Sequence, residues 1–223
     1  MTTGTRHTLT AFDEDMDYIR GLIAEMGARA ETAVTNAMQA LMTDDADLAA
    51  ATRAADKIID QLESDIEKRV VQTIALRAPM ADDLRELISA LKMAAVIERI
   101  GDYAKNISKR VGKLKSSAFL TKNSELRRMG DITVEMIHMA MDAYGKHDID
   151  LARAVNVRDD DVDQLFKELF VDFVAYVAKH PENAQEIAHL LFISKNLERI
   201  GDHSTTCAHL VYFTETGEEL PDN

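Results

Sequence analysis

The chain has 223 residues, with 26 Lys and Arg against 39 Asp and Glu, a formal net charge of −13. That excess of acid argues against a nucleic-acid binder, whose affinity comes from neutralising phosphates, and against adsorption to anionic lipid. Hydrophobic residues at 46% exclude a disordered chain, and with only 9 Gly and 3 Pro the elements must be long, which means helices.

The first helix is predicted over 11–42, where Ile19, Leu22, Ile23, Met26, Ala30 and Val34 recur at steps of three and four. Its FDEDMD acids would sit in the first turns, favoured by the macrodipole. A break at Thr43-Asp44-Asp45 leads to a second helix over 46–76, stopped by Pro79. Asp82 is the expected cap of a third helix reaching Val111. Ser124 then caps a fourth helix over 125–144, and Gly145-Lys146-His147 turns the chain. A fifth helix spans 148–179 up to Pro181, and a sixth spans 182–213.

The second half repeats the first. Met26-Gly27 recurs as Met129-Gly130, Asp47-Leu48-Ala49 as Asp150-Leu151-Ala152, and Asp60-Gln61-Leu62 as Asp163-Gln164-Leu165, each 103 residues on. Glu98-Arg99-Ile100-Gly101-Asp102 recurs unchanged at Glu198-Arg199-Ile200-Gly201-Asp202. The expectation is an all-α protein of two tandem antiparallel three-helix bundles, residues 1–112 and 124–223, joined by a linker over 113–123.

The repeated motifs place carboxylates on shared faces. Glu98 and Asp102 are one helical turn apart, as are Glu198 and Asp202. The second helix stacks Asp56, Asp60, Glu63 and Glu67, and the fifth carries Asp159 and Asp163 at the matching places. Stacked like charges destabilise a helix. Two such helices side by side would offer oxygen ligands for a hard cation, whereas a solvated acidic face is the plain alternative. Phe166 and Phe170 replace two of these acids in the second half. Arg99 and Arg199 suit an anion or a salt bridge, and mid-helix Gly101 and Gly201 suit a close approach by a neighbour.

Other chemistry is weaker. Glu135-x-x-His138 and Glu186-x-x-His189 match an element of di-iron bundles, but the duplication does not repeat them. A lone Cys207 excludes a disulfide framework, and no phosphate loop or nucleophile elbow is present. No run approaches the roughly 18 apolar residues of a membrane span, and no signal pattern opens the chain, so a cytoplasmic protein without membrane insertion is expected.

The doubled motif, with ERIGDYAKNI at 98–107, DKIIDQLE at 56–63, DDDVDQL at 159–165 and a DLA opening each second helix, resembles the PhoU family of phosphate-specific transport accessory proteins. The resemblance implies metal clusters held by Asp56, Asp60, Glu98 and Asp102, with Glu63 beside them, and by Asp159, Asp163, Glu198 and Asp202. Iron, manganese, magnesium or zinc would be the ion. It implies a non-enzymatic negative regulator of phosphate-starvation signalling, acting between the ATPase subunit of a phosphate ABC transporter and a sensor histidine kinase, with a homodimer expected. The rival readings are a metal-dependent carboxylate-bundle enzyme, di-iron or other, and a plain helical scaffold.

Overall fold

The structure, a computed structural model, describes residues 3–114 and 124–221, with side chains from residue 11 onward. Most of the predicted linker, 115–123, lies outside the described residues. Six long helices account for the fold: α1 Thr3–Thr43, α2 Ala46–Arg77, α3 Asp82–Ser108, α4 Ser124–Lys146, α5 Ile149–Lys179 and α6 Ala184–Thr216, with a 3-10 turn over Pro181–Asn183. No strand occurs among the described residues.

The first corner of each half is built alike. Asp44 and His147, 103 apart, take left-handed φ values of 53° and 55°. The following Asp45 and Asp148 cap α2 and α5, accepting from the backbone N–H of Leu48 and of Asp150 and Leu151. Ala78 ends α2 in the left-handed region just before Pro79, which cannot continue the ladder.

Four expectations need correction. α1 begins eight residues before Ala11, since extending a formed helix is easy. The FDEDMD acids therefore lie in its interior, and Asp15 is held by Arg69 at 2.6 Å and Arg77 at 3.0 Å, joining α1 to α2. Ala81, not Asp82, occupies the cap position of α3, and Asp82 is its first helical residue. Ser124 opens α4 from inside the helix, its hydroxyl reaching Glu125 Oε1 at 3.2 Å. Gly145 and Lys146 remain helical, leaving the reversal to His147.

The helices form two layers. One is the row α2–α3–α6–α5; the other is α1 and α4, which pack behind it and against each other. α3 and α6 run antiparallel at the centre: Arg85 bonds the Thr214 carbonyl at 3.0 Å, the Tyr103 and His203 rings meet edge to face at 5.3 Å, and Arg110 lies 3.0 Å from His189. Behind them, Met141 lies against Gly27 and Met38 against Gly130, where an added Cβ would fall 2.3 and 2.7 Å from the side chains. These two contacts exchange under the 103-residue shift, as contacts across a two-fold axis do. The core runs unbroken through both halves, from Ile19, Ile23 and Met26 through Ile97 and Ile100 to Leu197, Ile200 and Phe173.

Candidate metal-binding site: two acid clusters

In the first half α2 and α3 lie side by side and bring six acids into one electrostatic field. Burial, then Asp56 and Asp102, push Asp60 up. Burial, then Glu67 and Asp60, push Glu63 up. Glu98 is raised by burial and then by Asp102, with smaller contributions from Glu63 and Asp60 against the opposing Arg99. Asp56 is only 4% exposed, and the side chain of Glu98 is 17% exposed. A solvated face does not describe these two.

Lys105 is the cation of this cluster. Its ammonium lies 2.5 Å from Asp56 Oδ2 on the facing helix and 3.0 Å from Asp102 Oδ1 on its own. Those hydrogen bonds raise its pKa well above the ordinary lysine value. Arg99 leans more loosely over Glu98 and Asp102, at 3.6 and 3.7 Å.

In the second half Asp159 and Asp163 on α5 face Glu198 and Asp202 on α6. No hydrogen bond or ion pair reaches the Asp159 carboxylate among the described residues. Burial, followed by Asp202, Asp163 and Glu198, pushes it up to about 7. Lys195 bonds Glu198 Oε1, while Glu198 Oε2 is buried with no hydrogen-bond partner, its nearest cation being Arg199 Nε at 3.9 Å. Asp202 lies 3.6 Å from Arg199, and the outermost acid, Asp163, 3.4 Å from Lys167. Phe166 stands where the first half has Glu63, and the Lys195 ammonium sits over its ring at 5.2 Å. Phe170, at the place of Glu67, is 48% exposed.

The motif glycine seats the facing aspartate in the second half and a facing isoleucine in the first. A Cβ at Gly201 would lie 2.6 Å from Asp159 Oδ1, and one at Gly101 would lie 2.9 Å from Ile59 Cδ1 and 3.6 Å from Asp56 Oδ1. At Gly201 only glycine lets the neighbouring carboxylate come so close to the helix backbone.

The clusters are not closed ligand sets as they stand: among the described residues no three His, Cys, Asp or Glu side chains are placed to hold one metal ion. Carboxylates without a shared cation repel, and Lys105 and Lys195 draw Asp56, Asp102 and Glu198 toward themselves. The donor set nevertheless fits a hard cation. It is all oxygen, it includes the Oε2 of Glu198, which accepts no hydrogen bond, and in the first half an ammonium already bridges the two helices.

The ExxH elements do not converge. Glu135 bonds Arg158 at 2.6 Å, His138 lies 3.3 Å from Glu31 on the α1–α4 seam, and His189 faces Arg110. Cys207 is fully buried, which pushes its thiol up to about 12 and leaves it inert. Sequence reasoning missed Lys105 and Lys195. Lys105 follows Glu98 by seven residues and Asp102 by three, so the helical repeat puts all three on one face.

Known proteins share the family pattern and the fold. The PhoU domain model matches residues 23–111 and again 126–211. A curated relative from Zymomonas mobilis, named phosphate-specific transport system accessory protein PhoU homolog, is 43% identical over 97% of this chain and 91% of its own length. Namesakes from Rhizobium meliloti and Caulobacter vibrioides are 36% and 39% identical over 96% and 97% of the chain, and 90% and 94% of their own. The crystal structure of PhoU from Pseudomonas aeruginosa superposes with a TM-score of 0.85 at 31% identity, over 93% of this chain and all of that one. With the family model matching both halves and relatives of this identity spanning almost its whole length, the chain belongs to the PhoU family.

Proposed function

We propose that this protein is a metal-binding accessory regulator of a phosphate transport system, which keeps phosphate-starvation genes off while phosphate is plentiful. The observation that carries the reading is the near full-length match to proteins named phosphate-specific transport system accessory protein, with both ERIGD motifs and their facing aspartates in place. The regulator associates with the transporter's ATPase subunit and with a sensor histidine kinase. It does so from the cytoplasmic side and as a homodimer. No helix among the described residues is long and apolar enough to cross a membrane, which suits a peripheral partner. Its acidic surface favours a basic patch on the partner, so association weakens as salt rises. It acts by binding rather than by catalysis, in keeping with the accessory and regulatory names of its relatives.

Asp56, Asp60, Glu63, Glu98 and Asp102 would hold a cation across α2 and α3, and Asp159, Asp163, Glu198 and Asp202 another across α5 and α6. A bound cation would neutralise the acids and tie each helix pair together. Deleting the gene tests the regulatory part: high-affinity phosphate uptake should switch on in phosphate-rich medium, and unchanged repression would refute it. Elemental analysis of protein purified without chelator tests the metal part, with Glu98→Ala plus Asp102→Ala expected to lose metal relative to wild type. Equal metal content in the two would refute ligation by the first cluster.

A further inference from the structure

The two clusters differ in where their lysine stands. Lys105 reaches across from α3 and touches one carboxylate on each helix, the position a bridging ion would take. Its counterpart in the second half is Thr205, whose hydroxyl bonds the Asp202 carbonyl of its own helix at 2.7 Å. Lys195 does not replace it there. It sits three residues before Glu198 on the same helix, engages that one carboxylate, and leaves Asp159 and Asp202 without an ammonium. Its counterpart in the first half is Ala95.

We propose that Lys105 is a tethered cation that occupies the first acid cluster in place of a metal ion, so that the second cluster takes a free cation first. This rests on the metal-binding reading above. An ion entering the first cluster must displace an ammonium from Asp56 and Asp102. An ion entering the second meets a bare Asp159 and the Oε2 of Glu198, which accepts no hydrogen bond. The Lys105 side chain is 29% exposed, so it has a way out to solvent, and displacing it adds to the work of binding without closing the site. The two clusters then fill in sequence as cation concentration rises, which makes the chain a graded rather than a single-threshold sensor of that ion.

The test is Mn²⁺ binding to the chelator-stripped full chain, followed by equilibrium dialysis and by the electron paramagnetic resonance of free Mn²⁺. Wild type should show two classes of site, about tenfold or more apart in affinity. Asp159→Asn should abolish the tight class. Lys105→Met, which keeps the stem and removes the charge, should tighten the weak class about tenfold. Thr205→Lys should weaken the tight class, and it decides the matter alone if Lys105→Met fails to fold by circular dichroism. The lysine role is overturned, with the metal reading intact, if Mn²⁺ binds but neither lysine variant moves its class, or if Asp159→Asn spares the tight one. No Mn²⁺ uptake by any protein overturns both.

Discussion

The two halves carry the same five-residue motif on the same central helices, yet they hold their acids differently. In the first half the acid set is complete and a lysine bridges it; in the second two acids have become phenylalanines and the key aspartate stands without a bridging cation. The mid-helix glycine is common to both, but Gly201 seats the facing Asp159 carboxylate where Gly101 seats Ile59, with Asp56 at ordinary contact distance. Duplication conserved the geometry of the groove and let its charge diverge. Since the core is continuous, that divergence lives only on the rim.

The largest expected effect tests whether the halves are one body. Phe173 is buried at the place that Val70 holds in the first half. Phe173→Ala should cost about 3–5 kcal/mol. Because the core is shared, urea unfolding should remain a single transition in which probes in both halves lose structure together. A biphasic curve with the first half intact would break the comparison at its root.

Next in size is Lys105→Met in metal-free protein. It leaves Asp56 buried and unpaired, which should destabilise the chain by about 1–3 kcal/mol. Mn²⁺ should restore the loss, as shown by melting temperatures with and without the ion. The second half offers no equivalent, since Lys195→Met removes an ammonium from a single carboxylate at the cluster's edge.

A pH titration separates the halves by a different property. The Asp159 carboxyl lies near 7 in the fold, against about 3.9 in an unfolded chain. The folded state binds that proton more tightly, so its stabilising contribution is complete below about pH 4 and is lost as pH rises through about 7. Discounted for solvent screening at a partly exposed group, the metal-free chain should lose about 1–2 kcal/mol from this source between pH 5 and pH 8. Asp159→Asn should flatten that part of the urea midpoint against pH. A cation opposes the proton there, so affinity for Mn²⁺ should fall as pH drops below about 7.

The smallest effect is Phe166→Glu, which returns to the second cluster the acid that the first has at Glu63. Losing the ring beneath Lys195 and part of its packing against the core should cost about 1 kcal/mol. Cation binding in the second half should tighten by about a few-fold, read by equilibrium dialysis. An unchanged isotherm would show that the missing acid is not what distinguishes the clusters.

Much of this was legible in the sequence. Pro79, Pro181 and the capping Asp45 and Asp148 mark helix ends through local backbone chemistry, and helical period alone stacks the acids. Three things were hidden because they depend on which helices meet. Asp15 reads as a macrodipole acid until α2 presents Arg69 and Arg77 to it. Lys105 reads as an ordinary i,i+3 partner of Asp102 until Asp56 arrives from the facing helix. Met26-Gly27 and Met129-Gly130 announce a duplication, but not that each glycine receives a methionine from the opposite repeat.

The reciprocal seating of Met38 on Gly130 and Met141 on Gly27 has a wider consequence. It is the signature of two identical subunits meeting face to face, here joined in one polypeptide. A true dimer of a single repeat would be obliged to own two identical acid grooves, since every substitution would appear in both, and dilution would separate its copies. Fusion removes both constraints: the partner is always present at the effective concentration set by a short connection, and each groove is free to drift in charge. One ancestral pocket can thereby become a pair with unequal appetites for the same ion.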